Sequence, residues 1–151
     1  MKRLLVLTWV CLAFCSLQAL PQDDKVAEED KKFTGTWVVT AMEFGGSKVD
    51  EANYKEMTFT FKGKNYEQKL GDQLMEAGKQ DLDPSKKPMH MDITVTDGET
   101  KGKKQLAIYE WDGNDKVKIC AADHGDTTRP DKFETKEGSR SMIFELKRKK
   151  D

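Results

Sequence analysis

The 151-residue chain has little from which a metal or nucleophilic centre could be built: two histidines and three cysteines, two of them Cys11 and Cys15 near the N-terminus. With those two set aside, Cys120 stands alone, so no disulfide can form within the rest of the chain. It sits in the apolar run Val117 to Ala122 and reads as a structural, buried thiol. His90 lies beside Asp92, and His124 lies between Asp123 and Asp126. Neither has a second histidine or a closing ligand at a known spacing, so both read as surface hydrogen-bonding groups and no metal or cofactor is expected. Nucleophile-elbow, Walker-type and dinucleotide fingerprints are missing. Asp112-Gly113-Asn114-Asp115 lacks the rest of a calcium-loop pattern and reads as a hairpin turn. A binding protein is therefore expected, and an enzyme is not.

An excess of charge of one sign is also missing, with 26 basic against 27 acidic residues. That balance argues against nucleic acid as a partner, which calls for a concentrated basic face. In the tail Lys147-Arg148-Lys149-Lys150, alternation points Lys147 and Lys149 outward as solvated strand ends. Long apolar runs are confined to Leu4 to Phe14, which follows Lys2-Arg3 and ends at Ser16-Leu17-Gln18-Ala19. The run is shorter than the roughly 20 residues that span a bilayer. It reads as a secretory signal peptide over residues 1–19 with cleavage after Ala19, which predicts an exported protein, periplasmic or extracellular, with no stable membrane insertion afterwards.

Residues 20–33 are polar and acidic, and read as a flexible lead-in with one helical turn at most. From residue 34 to 150 the pattern switches to period two and predicts one domain of eight strands. These are Thr36 to Phe44, Met57 to Phe61, Asn65 to Lys69, Met75 to Asp81, His90 to Thr96, Gln105 to Trp111, Lys116 to Ala121 and Met142 to Lys149. Separators such as Gly45-Gly46, Lys62-Gly63-Lys64 and Asp112-Gly113 carry turn chemistry and are too short for parallel crossovers. Longer links run from Ser47 to Glu56, with a helical turn expected from Asp50, and from Asp123 to Ser141.

Alternation assigns the inward face to Trp37, Val39 and Ala41; Met57, Phe59 and Phe61; Met91, Ile93 and Val95; Leu106 and Ile108; Val117 and Ile119; and Met142, Phe144 and Leu146. In that register Gln68, Lys79, Asp81 and Glu110 also point inward. The outward set then includes Met42, Phe44, Tyr109 and Trp111. That second apolar patch is expected to be covered by the lead-in or by the Asp123 to Ser141 segment, or else to serve a protein partner.

Gly35-Thr36-Trp37 at the first strand resembles the Gly-x-Trp signature of lipocalin-type barrels. Leu82-Asp83-Pro84-Ser85-Lys86-Lys87-Pro88, Asp92-Ile93-Thr94-Val95, Ile108-Tyr109-Glu110, Val117-Lys118-Ile119-Cys120, Arg129-Pro130 and Leu146-Lys147-Arg148 extend the likeness along the chain. Together they are similar to a lipocalin-like family of uncharacterised exported proteins found mainly in planctomycete bacteria. The chain departs from it at Met89-His90-Met91 and at Gly78-Lys79-Gln80-Asp81. The resemblance implies an all-β, antiparallel, eight-stranded lipocalin-like (calycin-type) up-and-down barrel with short helical turns. It also implies barrel closure by Arg148 over Trp37. A barrel of eight strands is just wide enough to hold one small apolar ligand or to be filled by its own side chains. Phe59, Tyr66, Gln68, Ile108 and Glu110 are the expected ligand-binding residues. The alternative is an interaction module with a filled core.

Overall fold

The computed structural model describes residues 21–150. Helix α1 (Gln22–Phe33) precedes nine strands: β1 (Gly35–Phe44), β2 (Ser47–Lys48), β3 (Met57–Lys62), β4 (Asn65–Leu70), β5 (Gln73–Asp83), β6 (Met89–Gly98), β7 (Lys104–Trp111), β8 (Lys116–Ala121) and β9 (Met142–Arg148). Two-residue β2 hangs on the end of β1, β1 pairs antiparallel with β3, each strand from β3 to β9 pairs antiparallel with the next, and β1 also pairs antiparallel with β9. The other eight strands therefore form a closed, up-and-down, all-β lipocalin-like barrel with no free edge among them. The helical turn expected from Asp50 is a short 3-10 turn, Glu51–Asn53, capped by Asp50, whose carboxylate accepts from the Ala52 N–H at 3.0 Å. No helix among the described residues is long and apolar enough to cross a membrane. The expected signal segment lies outside them.

The lead-in holds a full helix, Gln22–Phe33, where one helical turn was expected. Its three helical turns carry Asp23 and Asp24 in the first turn and Lys31 and Lys32 in the last, the order that suits the helix dipole. Val26, Glu29, Asp30 and Phe33 recur at helical spacing, and this half-buried to buried face rests on one end of the barrel. Two members of the stripe are acidic, so apolar periodicity alone did not reveal it.

Most of the inward register holds, and its failures have local causes. A bulge between Val39 and Ala41 turns Ala41 out and Met42 in, where Met42 packs on the core opposite Phe144. In β7 the inward set is Gln105, Ala107 and Tyr109, with Tyr109 fully buried, and Trp111 packs on the same core. Ile108, expected inside, is instead buried on the outer wall with Cys120 and Ile143, under Phe133 of the long segment after β8. That cover makes both faces of β7 apolar, which removes the contrast that alternation relies on. In β5 the inward positions are Gly78, Gln80 and Leu82, while Lys79 and Asp81 are exposed. Asp81 forms a surface ion pair with Lys64 at 2.9 Å. Glu110 is likewise exposed, opposite Lys118.

The supposed patch of Met42, Phe44, Tyr109 and Trp111 does not exist as a surface. Tyr109 is interior, Trp111 is covered by α1, and Phe44 alone of the four is substantially exposed.

Candidate functional site

The strand ends define two poles. At one pole α1 closes the barrel. Phe33, fully buried, places its ring 4.7 Å from Trp111, 5.1 Å from Phe61, 5.3 Å from Tyr109 and 6.4 Å from Trp37, centroid to centroid. Tilted and edge-on aromatic contacts of this kind add to the burial itself. Their polar tips are all served. The Trp37 indole donates to the Phe33 carbonyl at 2.7 Å, and the Glu29 carboxylate accepts from Tyr109 Oη at 3.0 Å and from Trp111 Nε1 at 2.9 Å. Burial, with the neighbouring Glu29 charge, pushes the Tyr109 hydroxyl pKa upward, so it remains a donor.

Arg148 completes this closure. Its guanidinium lies 4.3 Å over the Trp37 ring, donates to the carbonyls of Lys32 at 2.6 Å and Thr34 at 2.8 Å, and meets Asp115 at 3.3 Å. A cation on the last carbonyls of α1 satisfies groups that the helix itself leaves open. Trp37 and Arg148 thus tie β1, β9 and α1 together, which is a structural task.

The opposite half of the barrel encloses a cavity. Phe59, Met91, Ile93, Ile119 and Phe144 form an apolar wall, with Tyr66, Gln68, Glu76, Gln80, Gln105 and His124 as its polar members. The cavity has a volume of about 40 Å³, room for roughly three waters. Of the expected ligand-binding residues, Phe59, Tyr66 and Gln68 line it; Ile108 and Glu110 do not. Glu76, Gln80, Gln105 and His124 line it without having been named from the sequence as ligand-binding residues.

Glu76 organises the polar side. It accepts from Tyr66 Oη at 2.6 Å through one oxygen and from Thr100 Oγ1 at 2.8 Å through the other, which also lies 2.9 Å from His124 Nε2. The histidine's approach does not meet hydrogen-bond geometry, so this is a close contact rather than a directed hydrogen bond. Burial pushes the Glu76 carboxyl pKa up, but the contacts with His124, Tyr66 and Thr100 outweigh it and hold the group below the usual carboxylate range. Burial and the bond to Glu76 push the Tyr66 hydroxyl the other way, upward.

Tyr66 owes its seat to Gly78: a Cβ there would come within 2.8 Å of the ring and 2.4 Å of the Thr94 carbonyl oxygen. His124, which the sequence suggested for the surface, is carried inward by the backbone after β8. The Gly125 N–H donates to the Lys104 carbonyl at 2.7 Å, and Arg129 further along donates to the Met91 and Ala107 carbonyls and pairs with Asp92.

Deeper lies Gln80, wholly buried, with neither its amide nitrogen nor its carbonyl oxygen partnered among the described residues. Gln105, the other buried glutamine, donates to the Ala122 carbonyl at 2.8 Å. Among the described residues there is no group of three or more His, Cys, Asp or Glu side chains placed to hold a metal ion. Cys120 is buried on the outer wall, and burial pushes its thiol up to about 11, the state of an unreactive cysteine. No family model matches the chain, and no curated protein or solved structure matches it either.

Proposed function

We propose that this is an exported lipocalin-like protein, of the kind represented by the planctomycete-type family it resembles, that holds a small, mainly apolar molecule in the half of its barrel opposite α1. The observation that carries the reading is the contrast inside the barrel. One pole is filled by aromatic rings whose indole and phenol groups are hydrogen-bonded, with one Asp30 carboxylate oxygen left over, while the other keeps an apolar cavity containing a buried carboxamide with neither atom partnered among the described residues. Apolar walls with a few convergent polar groups are the usual composition of small-molecule sites. The cavity's size favours an occupant of only a few heavy atoms. Glu76, Tyr66, Thr100 and His124 form one built polar end of the site, and no nucleophile with an adjacent base stands beside it, so binding rather than catalysis is the favoured task.

Native mass spectrometry of the protein recovered gently from its own exported fraction tests this. A monomer with a reproducible added mass is the expected result. A bare monomer, or a hetero-complex with another protein, would transfer the case to an interaction module with a filled core. Sequencing the recovered N-terminus checks export, with a start near Leu20 expected; an N-terminus at Met1 would remove the export argument.

A further inference from the structure

Building on the small-molecule reading, we infer that the site selects a neutral carboxamide-type head group, such as a primary amide, a urea or a lactam edge, with Gln80 as its recognition residue. Of the other polar groups of the cavity wall, Gln68 donates to Met57 Sδ at 3.3 Å, and His124, without a directed hydrogen bond from Nε2, lies 2.9 Å from the Glu76 carboxylate. Tyr66 and Thr100 donate to Glu76, and the Gln105 amide donates to the Ala122 carbonyl. Gln80 alone is wholly buried with both a free donor and a free acceptor among the described residues. A carboxamide presents these side by side in one plane, and a second amide edge matches them with two antiparallel hydrogen bonds.

Leaving such a group buried and unmet is unfavourable, so a partner that satisfies both atoms gains selectivity over one that satisfies neither. Waters can fill the same space, and the head group must reproduce their hydrogen bonds as it displaces them.

The charge of the site separates the amide from its closest analogue. A carboxylate head offers no donor to the Gln80 carbonyl. It would also share the cavity with Glu76, which is held as an anion by its three neighbours. A neutral amide has neither handicap, and its short apolar portion meets Phe59, Ile93 and Phe144.

The test uses three probes of matched size on isotopically labelled protein: propionamide, propionate and cyclopentane. Nuclear magnetic resonance follows the Gln80 side-chain NH₂ and the methyl groups of Met91 and Met142. Propionamide should move the Gln80 signals and bind about tenfold or more tightly than propionate. Gln80→Leu, or Gln80→Met if the first variant folds poorly, should abolish that preference while keeping cyclopentane binding. If cyclopentane moves the methyl signals but propionamide binds no better than propionate, or leaves Gln80 untouched, the amide inference falls and the cavity reading stands. If no probe moves any cavity signal, with water as the sole occupant, both fall.

Discussion

The two poles of this barrel are made of similar residues put to different uses. Around Phe33 the indoles, the phenol and the guanidinium all find partners, and α1 seals the end as part of the core. Around Glu76 the polar groups also find one another, yet a free carboxamide and an apolar void remain beside them. Eight strands fix a radius that side chains can just fill, so whether a pole is filled or hollow depends on what is brought in from outside the sheet. At one pole a helix contributes a phenylalanine, and at the other the segment after β8 contributes a histidine. Closure against stability and space against recognition are thus separated along one axis.

The largest effect expected concerns the filled pole. Phe33→Ala should cost about 3–5 kcal/mol by deleting a fully buried ring that touches four aromatic neighbours, read from urea unfolding at constant m-value. A loss under about 1 kcal/mol would mean that α1 is an appendage rather than part of the core.

Next comes Arg148→Ala, expected to remove about 2 kcal/mol together with the Trp37 contact. Arg148→Lys should recover only part of this, since an ammonium cannot reach both carbonyls while lying flat on the ring. Unchanged melting temperature and Trp37 emission in Arg148→Ala would contradict the closure role.

At the hollow pole the expected signature is pH dependence. Folding lowers the Glu76 pKa, so its contribution is complete above the unfolded value, near 4.3, and fades as pH falls through the lower folded one. Glu76→Gln should therefore show a shallower loss of melting temperature below about pH 4.5 than the parent protein. An identical acid limb in the two proteins would show that Glu76 is not held as described.

The smallest effect is a non-event. Cys120 should resist thiol labelling at neutral pH until the barrel unfolds, because its thiol is buried and its pKa is raised to about 11. Fast labelling of the native protein would place the outer wall under Phe133 in motion.

The barrel was legible because β3 and β6 keep their apolar residues on one parity, β8 and β9 nearly so, and most of the turns are short. Closure by Arg148 over Trp37 was legible through the resemblance to lipocalin-type barrels, with Arg148 on the inward parity of the last strand, rather than through periodicity alone. The hollow pole was not. Gln80 and Gly78 sit at interior positions where the pattern calls for apolar residues, so the alternation of β5 was read one residue out and Lys79 and Asp81 took their place. His124 reaches the cavity through contacts of a long irregular segment, and nothing local in Asp123-His124-Gly125-Asp126 announces them. Ile108 and Tyr109 exchanged faces because a segment remote in sequence covers the outer side of their strand. Recognition depends on just such departures from the periodic rule, which is why sequence periodicity reveals the container before its contents.

The most direct test of the asymmetry is one titration of the labelled protein with cyclopentane, observing both poles at once. The methyl signals of Met91 and Met142 should shift in a saturable way while the indole N–H signals of Trp37 and Trp111 stay in place. Equal movement of the indole signals, or saturable movement at neither pole, would contradict a barrel sealed at one end and receptive at the other.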